Sequence, residues 1–195
     1  QWYLTVVGRR AIVTNCIFAV DCDEAAIEVT KMSLALKIVD GNAPLAWEGI
    51  GVFGDKILRE IADNIKLGNT LVDIDAEIPV SSIPSIKPMD IKTSFADVFD
   101  NFGGFTYVIG NPPYVETKHY KAASPCMHAY LTENYTTFEG KADLAVLFIE
   151  RCLELLSNEG KLGFIIQRRW FKTDYGKSTR SLINTGKHLQ KLIDF

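Results

Sequence analysis

Residues 105–109 read FTYVI, an unbroken apolar and β-prone run that stops at Gly110-Asn111-Pro112-Pro113. Such a run predicts a strand buried on both faces, and the prolines after it cannot donate to a sheet ladder, so the strand has to end there. The same arrangement recurs along the chain. Ala11 to Val20 (AIVTNCIFAV) is predicted as a strand that stops at Asp21, and Asp23 is placed to cap a helix over Glu24 to Ile38, where Ile27, Leu34, Ala35 and Ile38 fall at helical spacing. Residues 41–54 are rich in glycine and contain Pro44, which predicts a loop. A helix over Asp55 to Asn64 and a short strand over Ile65 to Leu67, ending at Gly68-Asn69, follow. Pro79, Pro84 and Pro88 mark Ile78 to Pro88 as a surface excursion, and Tyr114 to Gly140 reads as an irregular, substrate-facing segment. Asp143 caps a long amphipathic helix that buries Leu144, Leu147, Phe148, Cys152, Leu155 and Leu156 and ends at Gly160. Leu162 to Ile166 is then a strand, the basic segment after it has helical potential, and Leu189 to Phe195 closes the chain as a last strand. Strands alternating with helices predict an α/β fold, a mostly parallel sheet with helices on both faces and its ligands beyond the carboxyl ends of the strands.

Composition narrows the class. With 195 residues, 47% of them hydrophobic against 23% charged, the chain is one α/β domain in size and has ample material for a core, which excludes intrinsic disorder. No apolar run approaches the roughly 18 to 20 residues of a membrane span, and the opening QWYLTVVGRR puts its basic pair after the apolar stretch, opposite to a secretion signal. A soluble cytoplasmic protein without a membrane partner is expected. Cys16, Cys22, Cys126 and Cys152 are scattered without a C-x-x-C pair, so reduced thiols are expected, with neither a zinc clip nor a disulfide framework. Charge is uneven. From Lys161 to Phe195 eight Lys and Arg face only Asp174 and Asp194, a net charge of +6, while the remainder of the chain has a net charge of −9. That asymmetry suits either an edge that meets a polyanion or a solvated basic helix.

Chemistry concentrates at Asn111-Pro112-Pro113-Tyr114. Each proline fixes its own φ, so the carbonyls of Asn111 and Pro112 are held in a rigid turn that no ladder can absorb. An amide oxygen from Asn111 and a carbonyl from Pro112 can accept both hydrogens of an exocyclic NH2, and Tyr114 offers a flat face on which a ring can stack. These residue types describe an aminopurine pocket, although Asn-Pro and Pro-Pro dipeptides also make plain turns after strands. Two other patterns are set aside. Gly49-Ile50-Gly51-Val52-Phe53-Gly54 satisfies G-x-G-x-x-G, but Asn42-Ala43-Pro44 stands where a strand has to precede it. Cys126, His128 and His119 are one cysteine and two histidines in a polar segment, so no metal site is expected.

Four stretches, IFAVDCDEAAIEVTKMSLAL (17–36), NIKLGNTLV (64–72), FTYVIGNPPYV (105–115) and DLAVLFIERCLELLSNEGKLGFIIQRRWF (143–171), together with Asp174-Tyr175-Gly176, carry a resemblance over nearly the whole chain. In that order they resemble the catalytic domain of S-adenosylmethionine-dependent DNA adenine-N6 methyltransferases, and most of all the single-chain restriction-modification and phage-defence group. The resemblance implies a Rossmann-like methyltransferase sheet. It implies that Asp21 accepts hydrogen bonds from the cofactor's ribose hydroxyls, that Cys22 lines its adenine, and that Asn69 and the backbone of Thr70 meet the adenine edge. Asn111, Pro112 and Tyr114 become the catalytic corner, acting on an adenine rotated out of double-stranded DNA. Arg168, Arg169 and Lys172, with Lys177 and Arg180, fall on a phosphate-facing edge. The tetrapeptide is shared by methyltransferases of protein glutamine and of RNA, so those substrates, and a non-catalytic nucleotide-binding role, stay open.

Two parts of the family pattern are missing. The glycine-rich motif on the sheet's first strand is expected before Ala11, where QWYLTVVGRR does not supply it, and the region that reads DNA sequence is expected after Phe195. The absent strand is central in this fold, between the strands that end at Asp21 and Asn111. A sheet lacking it has unpaired edges. The expectation is therefore an incomplete catalytic domain from a longer protein, with weak cofactor affinity and no activity by itself.

Overall fold

The computed structural model describes residues 4–39, 50–116, 121–186 and 188–194. The chain divides into two compact units, residues 1–69 and 70–195.

The first unit contains α1 (Val6–Cys16), β1 (Ala19–Asp21), α2 (Glu24–Val39), α3 (Ile50–Ala62) and β2 (Ile65–Leu67). Here the predicted strand over Ala11 to Val20 is corrected, because most of that run is helix and only Ala19–Asp21 is strand. The helix starts upstream of the apolar run, where the Thr5 hydroxyl accepts the Gly8 N–H at 3.1 Å as an N-cap. Within it, the Thr14 hydroxyl donates to the Arg10 carbonyl one turn back, and the Arg10 guanidinium pairs with Glu60 on α3. A short apolar run fits a helix as well as a strand, and these contacts decide for helix. α2 runs as the spacing predicts, with Asp23 Oδ1 accepting the Ala25 N–H at 2.9 Å. The predicted loop is helical from Ile50 onward, whereas residues 41–49, including Pro44 and Gly49, lie outside the described residues. β1 and β2 pair in parallel with Asp21 opposite Leu67, and Val13, Ile27, Ile38, Ile57, Ile61 and Ile65 close the core beneath them.

The second unit opens with short helical turns, among them α4 (Ile83–Ile86), α5 (Ile91–Ser94) and α6 (Ala96–Phe102). The predicted surface excursion is therefore partly folded in, with Ile86 buried. β3 (Phe105–Gly110), α7 (Pro125–Asn134), α8 (Leu144–Glu154), β4 (Leu156–Phe164) and α9 (Lys177–Thr185) follow. α7 corrects the irregular reading of Tyr114 to Gly140: Pro125 stands in its first turn, where no N–H is needed, and Met127 and Leu131 are buried. α8 is capped by Asp143 as predicted but stops at Glu154, well before Gly160. It is also buried beyond its apolar face: Leu144 and Leu147 are 1% and 0% exposed as predicted, but Glu150 and Arg151 are buried too, at 8% each.

β4 starts earlier than predicted. It pairs with β3 at Phe105–Leu156, bulges, and resumes at Tyr107–Lys161, in parallel throughout. Gly160 makes that possible, since a Cβ there would stand 2.7 Å from the Phe105 carbonyl. Residues 189–194 form no regular element, which corrects the predicted last strand, and Phe195 lies outside the described residues. Among the described residues the strands make two separate two-stranded parallel sheets, β1–β2 and β3–β4, where one sheet was predicted. No described helix is long and apolar enough to cross a membrane. None of the four cysteines is in a disulfide, and burial pushes the Cys152 thiol up to about 12, which leaves it a packing group.

Candidate active site

Gly110, the last residue of β3, pairs with Phe164 of β4, and its carbonyl accepts the Ile165 N–H at 3.1 Å. The prolines then turn the chain away from the ladder. Asn111 is exposed, Pro112 is buried, and Tyr114 keeps 42% of its surface. The Tyr114 hydroxyl lies 2.8 Å from Asn111 Oδ1 and 2.9 Å from the Ile165 carbonyl, both acceptors for its single proton. An amide oxygen has two lone pairs, so Asn111 Oδ1 retains one for an incoming donor while the hydroxyl holds the group in place. The next residues clasp the corner. The Val115 carbonyl accepts the Leu144 N–H, Glu116 bridges to Asp143, and Arg169 Nη1 donates to Glu116 Oε1 at 2.8 Å. The corner is thus a surface feature with a fixed backbone and one presented amide.

Asp21, Cys22 and Asn69 come together at the carboxyl ends of β1 and β2. Asp21 and Cys22 are exposed, Asn69 is half-buried, and the Gly68 N–H donates to the Asp21 carbonyl at 2.9 Å. Asp21 Oδ1 also accepts the Asp23 N–H at 2.8 Å, an Asx turn, while Asp23 alone caps α2. An exposed carboxylate beside an amide side chain fits a ribose diol next to a base edge, so this donor and acceptor set suits a nucleoside cofactor.

Thr70 opens the second unit and gives its carbonyl to Arg151 Nε at 3.1 Å. Arg168 and Arg169 are exposed but already engaged: Arg168 pairs with Asp194 at 2.7 Å and Arg169 with Glu116. Lys172 is exposed, and Arg180 donates to the carbonyls of Trp170 and Thr173. His119 lies outside the described residues, among which no group of three or more His, Cys, Asp or Glu is placed to hold a metal ion. Open cavities of about 400 and 590 Å³ border Trp170 and Arg180, and Thr136 and His188, away from the corner.

Sequence reasoning missed Glu150 and Arg151. Their signal was two adjacent charges inside the apolar stretch LAVLFIERCLELL, a placement that requires buried partners.

The family model described as Eco57I restriction-modification methylase matches residues 15–195. The chain belongs to that family. Curated relatives agree. The Type II restriction enzyme and methyltransferase RM.Eco57I of Escherichia coli is 33% identical over 187 residues, 96% of this chain and 17% of that protein. The Type II methyltransferase M.PaeR7I of Pseudomonas aeruginosa is 42% identical over 92 residues, and M.XhoI of Xanthomonas vasicola 37% over 90, each match covering 16% of the relative. The matched stretches thus cover about a sixth of the length of each of these relatives.

Proposed function

We propose that this chain is part of the catalytic domain of a DNA methyltransferase that moves a methyl group from S-adenosylmethionine to adenine N6, in a restriction-modification or related defence system. The observation that carries the reading is Asn111, an exposed amide at the carboxyl end of β3 with its oxygen held by a neighbouring hydroxyl, in a chain of the restriction-modification methylase family. S-adenosylmethionine, when bound, supplies an electrophilic methyl group. Asp21 would hold its ribose, and Cys22, Asn69 and Thr70 its adenine.

Adenine N6 is a poor nucleophile because its lone pair is delocalised into the ring. Asn111 Oδ1 and the Pro112 carbonyl accept its two hydrogens, favour the pyramidal nitrogen and direct the lone pair outward. Tyr114 stacks on the extruded base, and no strong base is required. Double-stranded DNA is the partner, met by Arg168, Arg169 and Lys172, of which the two arginines exchange carboxylates for phosphates. The rest of the parent protein contributes the glycine-rich strand, the region that reads DNA and any nuclease.

The test is transfer of labelled methyl by the full-length parent protein to DNA, RNA and a release factor, with the label traced to the modified base. Asn111→Ala is expected to lower kcat by at least about 100-fold while S-adenosylmethionine still binds. Retained turnover would remove the acceptor role. Label on the release factor or on RNA alone would move the substrate to protein glutamine or RNA.

A further inference from the structure

We propose that Arg151 is a positioning residue for the adenine moiety of the cofactor, acting by setting the backbone at Thr70. The inference rests on the reading of Asn69 and Thr70 as the adenine edge and adds the group that holds it in shape. Residues 70–73 follow β2 without belonging to helix or strand, yet Leu71 and Val72 are buried to 1% and 0% exposure. Packing of those two side chains fixes where the segment lies, but not the direction of its peptide planes.

Hydrogen bonds fix the direction. Arg151 Nε donates to the Thr70 carbonyl at 3.1 Å, its Nη2 pairs with the Asp73 carboxylate, and its Nη1 reaches Glu154 at 3.4 Å, so three edges of the planar guanidinium are used. The Tyr135 hydroxyl donates to the Leu71 carbonyl at 2.8 Å, the Met89 N–H to the Val72 carbonyl at 2.8 Å, and the Asp73 N–H to the Tyr130 hydroxyl at 3.1 Å.

A guanidinium at 8% exposure carries a desolvation cost that a leucine at the same place would not. What it adds over a leucine is orientation, and only the first of its bonds bears on a predicted cofactor residue. Loss of that bond frees the peptide plane after Thr70 without emptying the core.

Arg151→Lys separates the two jobs, since an ammonium stays beside Asp73 but cannot reproduce the forked Nε bond. The experiment is calorimetric titration of the full-length parent protein with S-adenosylhomocysteine, and with its deaminated analogue S-inosylhomocysteine, whose base presents a different donor and acceptor pattern. Affinity of Arg151→Lys for S-adenosylhomocysteine is expected to fall about tenfold, the upper end of what one hydrogen bond contributes. Affinity for the inosyl analogue and for duplex DNA is expected to change less than about twofold, a difference worth under half a kcal/mol in the conversion of affinity to free energy.

Equal loss for all three ligands would mean general damage and would overturn the proposal. Unchanged affinity in Arg151→Lys, with weakened binding in Asn69→Ala, would overturn it and leave the adenine-edge reading standing. Absence of S-adenosylhomocysteine binding in the unsubstituted protein, or of any effect of Asn69→Ala, would remove that reading and the proposal with it. Should the lysine variant not fold, hydrogen exchange on the unsubstituted protein decides: saturation with S-adenosylhomocysteine is expected to slow exchange at Leu71, Val72 and Asp73, and unchanged rates there would overturn the role.

Discussion

Glu150 has 8% of its surface exposed and accepts four hydrogen bonds, from the Thr136 N–H at 3.0 Å and hydroxyl at 2.7 Å and from the Thr137 N–H at 2.9 Å and hydroxyl at 2.7 Å. Each carboxylate oxygen serves one threonine. Glu150→Gln keeps the shape but turns an NH2 toward two donors, so a loss of about 2 to 3 kcal/mol in urea unfolding is expected, and more for Glu150→Ala. A change below about 0.5 kcal/mol, the size of an ordinary surface substitution, would show that the four contacts do not hold the turn. Gly176 makes a second sharp case, because a Cβ there would fall 1.8 Å from the Trp170 carbonyl that Arg180 binds. Gly176→Ala is expected to lower Tm by several degrees, read in a thermal melt, and an unchanged Tm would deny the close approach. The corner at Asn111 was legible in the sequence because amide, prolines and ring are consecutive and each restricts the backbone by itself. Arg151 was not, since its partners Thr70 and Asp73 lie 81 and 78 residues away, and no local spacing records such a pairing.

At the scale of elements, local caps were readable and lengths were not. Asp23 and Asp143 cap α2 and α8 as their positions before apolar runs suggest. The extent of α1 and α7 depended on contacts no run of residues displays, such as Arg10 with Glu60 on α3 and the burial of Met127 and Leu131. Asp143 also carries a pH dependence. Burial pushes its carboxyl upward from the ordinary range, the N–H of Ala145 opposes this, and Glu116 adds repulsion. A raised folded-state pKa means a contribution to stability that is complete below the unfolded-state value and is lost as pH rises through the folded-state value. Asn caps a helix as well as Asp and does not ionise. The Tm advantage of Asp143→Asn over the unsubstituted protein is therefore expected to be absent near pH 3 and to grow as the pH climbs above the ordinary Asp value of about 3.9. A gap that stays constant or shrinks over that range would mean that burial does not dominate at Asp143.

For the molecule as a whole, the informative residues are those on β3 that the sequence marks as core and the structure leaves bare. Tyr107 is 69% exposed, Ile109 84%, and Ile165, just past β4, 65%. A continuous apolar strand is expected in the middle of a parallel sheet, covered on both faces, yet among the described residues β3 has β4 as its sole strand partner. The sheet order expected from the resemblance puts a strand bearing the glycine-rich motif beside β3, and the proposal that the parent protein supplies it gives this edge a partner and these side chains neighbours. Residues 1–195 produced alone then present an apolar strand edge, the geometry that pairs with other copies. Sedimentation velocity is expected to show concentration-dependent association that Ile109→Lys suppresses. In the full-length parent the same substitution places a charge on the face of a completed, packed sheet, and there it is expected to lower Tm by several degrees. The two measurements have opposite signs for a shared reason. An Ile109→Lys variant that still associates as a fragment, or that melts unchanged in the parent, would mean that β3 is an outer edge and that the proposed central strand lies elsewhere.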